Sequence, residues 1–89
     1  METDELQSVK KAVVAQKVII GTKLTLKSIK NGSLHEVVYT KNTPDFVKKD
    51  IIYYCSLRNI PARELSLTNK ELGVVCRKPF HVSVLAIKP

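Results

Sequence analysis

What most constrains this chain is its alternation: stretches with helical spacing take turns with short apolar, β-branched runs, from one end to the other. Thr3 to Ala15 has Leu6, Val9, Val13 and Val14 at helical spacing, with Thr3, Asp4 and Glu5 as a suitable N-terminus. KVII, Lys17 to Ile20, is a buried strand by composition. GTKLTLKSIKNG follows, a helix held between Gly21 and Gly32, with Asn31-Gly32 suited to a left-handed stop. HEVVYT, His35 to Thr40, is the second strand. In KNTPDFVKKDIIYYCSLRNIP, Thr43 reads as an N-cap, Pro44 as the first helical residue and Asp45 as a complement to the helix dipole. Val47, Ile51, Tyr54, Cys55 and Arg58 continue at helical spacing. After Pro61 comes a short strand, ARELS. Thr68-Asn-Lys-Glu71 is a capping box that starts a helix at Asn69 and carries it to about Cys76. RKPFH is a loop. VSVLAI, Val82 to Ile87, is a last strand whose nearly unbroken apolar pattern predicts cover on both faces. The order α-β-α-β-α-β-α-β predicts one α/β domain over residues 1–89, a three-layer α/β/α sandwich.

The charge balance narrows the function. Lys and Arg number 15 against 8 Asp and Glu, a net charge of +7. A compact domain with that excess attracts polyanions: RNA, DNA or an anionic membrane surface. No apolar run approaches the roughly 20 residues of a membrane span. METDELQSVKK opens with acidic residues and has no apolar segment of the signal-peptide kind. A cytoplasmic protein without membrane attachment is expected. Cys55 and Cys76 form no CxxC and have no nearby histidine pair, so no metal site is expected. Two buried thiols in a reducing compartment are the first expectation, with a disulfide between them left open. No G-x-S-x-G, P-loop or GxGxxG occurs, and His35 and His81 have no nucleophile at a telling spacing. No enzyme activity and no cofactor are expected.

Two basic segments remain. Lys23, Lys27 and Lys30 fall on one face of their helix, where like charges repel, while Thr22, Leu26 and Ile29 form the face toward the core. Leu24 lies on neither and is expected to be exposed. The helix start offers unpaired N–H groups, and Gly21 before it allows close approach, so Gly21, Thr22 and Lys23 form a candidate anion site, with Lys27 one turn on. A purely structural turn with solvated lysines explains that segment equally well. The second segment, Arg77-Lys78-Pro79-Phe80-His81-Val82, sets an aromatic ring beside cations in a proline-stiffened loop. That is how unstacked bases are held, cations on phosphate and ring on base. A lone Phe is more often packing. The turns at Gly21 and Asn42 and the Phe80 loop reach one rim if the last strand runs antiparallel to the first two.

GTKLTLKSIKNG, VVYTKNTP, DIIYYC, N-x-ELG and KPFHVSVLAI, in that order, resemble the kink-turn RNA-binding ribosomal protein family, the thirty-e branch most closely, over about Lys17 to Ile87. The family pattern also looks archaeal. The resemblance implies a sandwich with a four-stranded mixed sheet and a partner RNA, a kink-turn or related internal loop, most naturally ribosomal RNA. Other ribosomal or ribonucleoprotein components go with it as partners; the sequence gives no oligomeric state, and a monomer is the default expectation. It implies that the Gly21 helix start enters the groove at sheared G·A pairs, that Lys23 contacts guanine edges or phosphate, and that Asn42 hydrogen-bonds a base. It further implies that Phe80 and Val82 support unstacked bases. Where the seven-Ae branch has Asn-Glu after Gly-Thr, this chain has Lys23-Leu24, and a leucine can pack on a base or ribose without hydrogen-bonding to it. The alternative is a protein-interaction module on the same fold, using Leu24 and the apolar loop.

Overall fold

The computed structural model describes residues 2–32 and 34–89. Helix α1 (Glu2–Val14) leads into β1 (Val18–Ile20), α2 (Thr22–Asn31), β2 (Glu36–Thr40), α3 (Asp45–Leu57), β3 (Ala62–Leu65), α4 (Asn69–Val75) and β4 (Val84–Ile87). Every element expected from the sequence is present, with ends moved by a residue or two. The capping role expected of Thr3, Asp4 and Glu5 falls outside the described side chains.

The strand order is β1-β4-β2-β3. β4 runs antiparallel to both β1 and β2, and β3 runs parallel to β2. β4 therefore sits inside the sheet, and all four of its residues are buried. Its side chains alternate with the strand period of two. Leu85 and Ile87 join Leu6, Val9, Ala12, Val38, Leu65, Leu72 and Cys76 on the α1/α4 side. Val84 and Ala86 join Ile29, Val37, Tyr39, Ile51, Cys55 and Ile60 on the α2/α3 side. Two cores, one on each face, make the third layer obligatory, because the inner strand β4 is apolar on both of its faces and each must be covered.

The sheet's polarity is what gathers the loops. With β4 opposed to its neighbours, the C-terminal ends of β1, β2 and β3 lie at the same rim as the N-terminal end of β4. Backbone hydrogen bonds tie the rim together: Gly21 N–H to the Val84 carbonyl at 3.1 Å, Thr40 N–H to Ser83 at 2.9 Å, Lys41 N–H to Leu67 at 3.1 Å and Val82 N–H to Asn69 at 3.0 Å.

Two local expectations are corrected. The cap of α3 is Pro44, with no side-chain capping bond. Thr43 is buried, and its hydroxyl turns inward to Thr40 and Ser83. On α2 the fully buried residues are Thr25 and Ile29, while Thr22 and Leu26 are half-buried, so the inward face is centred one residue from where the spacing put it.

Candidate nucleic-acid interface

Chain direction at the end of β1 depends on Gly21. Its φ of 110° and ψ of 146° lie in a region open essentially to glycine alone, and this turns the chain abruptly from strand into α2. A side-chain carbon there would meet nothing within 4 Å, so the space in front of the helix start is open. No side chain caps α2 and its first turn holds no acidic residue. The N–H groups of Thr22, Lys23 and Leu24 therefore carry the positive end of the helix dipole uncompensated by any side chain. At the other end Gly32, at φ 77°, closes the helix by donating to Ser28 and Ile29.

Across the rim, Gly21 and Thr22 share a cleft of about 490 Å³ with Ile20, Lys78, Phe80, His81, Val82 and Ser83. Phe80 is 52% exposed and Leu24 56%, so both present apolar surface to solvent beside the helix start, as expected for Leu24. The loop that carries Phe80 is held from beneath by α4. A side-chain carbon at Gly73 would overlap the Phe80 carbonyl oxygen, so only glycine permits this approach. α4 itself begins with the expected capping box: Thr68 Oγ1 accepts from Glu71 N–H at 3.3 Å, and Glu71 Oε1 accepts from Thr68 N–H at 2.9 Å. The Thr68 N–H, then the Thr68 hydroxyl, hold the Glu71 carboxyl below its ordinary pKa.

Asn42 stands on the neighbouring turn. Its Oδ1 accepts from Asn69 N–H at 3.0 Å and from Thr40 Oγ1 at 2.8 Å, and its Nδ2 donates to Asn69 Oδ1 at 3.0 Å. Asn69 then accepts from Val82 N–H through its carbonyl. One residue thus links the Asn42 turn to the Phe80 loop. Nothing in the sequence pairs Asn42 with Asn69, although the capping box does place Asn69 at a helix start.

The remaining candidates divide. Lys23 and Lys27 are exposed on α2. Lys30 is not wholly free: its ammonium lies 5.0 Å from the centre of the Tyr54 ring. Arg77, at φ 59°, is exposed and lines an adjoining groove of about 500 Å³ with Val13, Val14, Gln16, Val18 and Ile20, which Lys78 shares. Val82 is a correction. It lines the floor of the cleft but is only 2% exposed and packs in the α1/α4 core, so it presents almost no surface to a base. The chain turns inward after His81, drawn by the Val82 bond to Asn69. Among the described residues no group of three or more His, Cys, Asp and Glu side chains gathers as metal ligands would, and no helix is long and apolar enough to cross a membrane.

A family model matches residues 4–89, nearly the whole chain. The chain belongs to the ribosomal protein L7Ae/L30e/S12e/Gadd45 family. Within this L7Ae/L30e group, large ribosomal subunit protein eL30 of Methanocaldococcus jannaschii is 40% identical over 84 residues, covering 94% of this chain and 76% of that protein. The eL30 protein of Methanothermobacter thermautotrophicus is 42% identical over 82 residues, covering 92% of this chain and 84% of its own. The fold also matches the Giardia lamblia 15.5kD RNA binding protein, with a TM-score of 0.84 at 19% identity, over 99% of this chain and 73% of that one. The mixed four-stranded sheet and its helices are thus the L7Ae/L30e arrangement.

Proposed function

We propose that this protein is a large-subunit ribosomal protein that binds ribosomal RNA at a kink-turn or related internal loop, as a monomer within the cytoplasmic ribosome. What carries the reading is the convergence on one rim of an uncapped helix start, an exposed aromatic ring and an exposed amide in a strongly basic chain. Relatives that are about 40% identical are large-subunit ribosomal proteins, which supports the ribosomal assignment.

Binding needs no covalent step. The N–H groups of Thr22, Lys23 and Leu24 face acceptors on base edges or phosphate, in a site where a bulkier residue than Gly21 would stand off the ligand. Lys23, Lys27 and Lys78 neutralise phosphates, with Arg77 and His81 at the flank. Phe80 stacks under a base that has left the helical stack, an interaction worth about 1–3 kcal/mol. Leu24 packs against ribose or base. Asn42 hydrogen-bonds a base.

The test is a gel shift of a generic kink-turn against a straight duplex, at low and moderate salt. The bent RNA is expected to shift preferentially. Lys23→Ala weakens binding and lowers the slope of log K against log salt by a little under one unit. Phe80→Ala weakens it roughly 5- to 150-fold, the stacking energy converted, and leaves the slope nearly unchanged. Equal affinity for both RNAs ends the kink-turn reading. No shift at all, with a protein partner co-purifying, favours the interaction-module alternative.

A further inference from the structure

The Asn42–Asn69 pair says what kind of group the RNA must present. We infer that Asn69 is a positioning residue which fixes Asn42 as a hydrogen-bond donor only, so that the RNA group met there is an acceptor: a base carbonyl or an unprotonated ring nitrogen. This rests on the RNA-binding reading above.

An amide side chain can ordinarily flip, exchanging its oxygen and nitrogen. Here it cannot do so freely. The Asn69 backbone N–H can only donate, so the Asn42 atom 3.0 Å from it must be oxygen. That leaves Nδ2 facing Asn69 Oδ1, also at 3.0 Å. The Thr40 hydroxyl takes the second lone pair of Asn42 Oδ1 at 2.8 Å. Because Asn42 Oδ1 can only accept, Thr40 must donate, and that sets the direction of the bond between the buried threonines behind it. Thr40 and Thr43 hydroxyls lie 3.0 Å apart, and each has one hydrogen. With Thr40 donating outward to Asn42, Thr43 donates to Thr40, and its 3.3 Å approach to the Ser83 carbonyl is the longer and weaker option. That carbonyl already accepts from Thr40 N–H. The chain of donors runs from the core outward and ends at Asn42 Oδ1, each bond polarising the next.

Both acceptor sites of Asn42 and one of its two amide hydrogens are therefore consumed inside the protein. Asn42 is exposed, and what it still offers is a single N–H. A partner donor in that position, such as an exocyclic amine, would meet no free lone pair.

The test pairs binding with a spectroscopic readout. In the free protein the Asn42 side-chain amide should show two distinct proton resonances, one slow to exchange. Only the other should shift markedly when kink-turn RNA is added. Asn42→Ala should weaken binding about tenfold or more. Asn69→Ala keeps the backbone N–H to Asn42 Oδ1 and loses only the acceptor for Nδ2, so, with Thr68 and Glu71 still capping α4, it should weaken binding measurably but less than Asn42→Ala and remove the slow exchange. Asn69→Asp keeps the acceptor for Asn42 Nδ2 and adds one negative charge. It should therefore bind no worse than Lys70→Gln, which makes the same charge change next door and leaves the pair alone. Melting curves confirm that each variant folds. If Asn42→Ala weakens binding while Asn69→Ala binds like the parent, or if Asn69→Asp is as poor as Asn69→Ala, the positioning role is overturned and the RNA-binding reading survives. If Asn42→Ala binds like the parent, the role assigned to Asn42 and the inference fall together.

Discussion

Gly73 in α4 and the carbonyl of Phe80 touch backbone to backbone, with no room between them for a methyl group. This close approach sets the height of the Phe80 loop above α4, and so where the exposed ring stands relative to Gly21. Gly73 sits inside a helix and is buried, so closeness, not an unusual backbone angle, is what demands glycine.

Gly73→Ala is therefore expected to push the loop away from α4. Overpacking of this kind costs about 1–3 kcal/mol, read as a lower urea midpoint. Because the loop moves, RNA affinity should fall as well, in the same direction as Phe80→Ala. A variant with the parent's stability and affinity would show that the loop yields at no cost, and that Gly73 does not set the ring's position.

Much of this architecture is legible in the sequence alone. Gly21 and Gly32 bracket α2 because each needs a positive φ there, 110° and 77°, and that demand shows in the sequence as glycine. The T-x-x-E box shows because both partners lie within one turn. β4 shows because a strand covered on both faces has nowhere for a polar residue. What stays hidden depends on meetings between distant segments. Thr43 looks like an N-cap by local chemistry, yet a buried hydrogen bond to Thr40 draws it inward. Val82 looks like the neighbour of an exposed Phe, yet the Asn69 carbonyl pulls it into the core. The approach of Gly73 to residue 80 and the Asn42–Asn69 pair have no local signature at all.

The two cysteines should remain thiols. Cys55 belongs to the α2/α3 core and Cys76 to the α1/α4 core, with the sheet between them. A disulfide needs Cα atoms within about 7 Å, and no loop motion brings them together while the sheet is intact. Burial pushes the Cys55 thiol up to about 11 and raises Cys76 as well, so little thiolate exists at neutral pH. Labelling by a thiol reagent is expected to be slow in buffer and rapid in urea. Native protein under mild oxidant should show no loss of two hydrogens by mass spectrometry. An intramolecular crosslink formed without unfolding would contradict the placement of the two cores.

Acid should loosen α4 first at its capping box. Glu71 has a lowered folded pKa, chiefly from the Thr68 N–H and then the Thr68 hydroxyl. A depressed carboxyl contributes stability that is fully present above its unfolded pKa, about 4.3. That contribution disappears as pH falls through the lower folded value. Glu71→Gln keeps an acceptor for Thr68 but cannot titrate. Its melting temperature should therefore fall less steeply than the parent's between about pH 5 and pH 3, the span around that carboxylate range. Identical profiles would mean that the box contributes nothing pH-dependent.

The lysines of α2 should separate by task. Lys23 and Lys27 are exposed and one turn apart, so each raises the other's electrostatic energy in the free protein. Replacing both with Gln removes that repulsion, about 0.2–0.5 kcal/mol, so the free protein should be no less stable. RNA binding should weaken, and the salt slope should fall by a little under one unit for each phosphate left without its lysine. Lys30 is the contrast. Its ammonium rests over Tyr54 at 5.0 Å, and Arg58 reaches its carbonyl, so it joins α2 to α3. A cation–π interaction at an exposed site is worth about 0.5–1 kcal/mol. Lys30→Gln should accordingly lower stability by about that much while changing the salt slope less than Lys23→Gln or Lys27→Gln. Should Lys30→Gln prove the strongest of the three in the salt titration, the RNA backbone runs along the C-terminal half of α2, and the interface is not centred on Gly21.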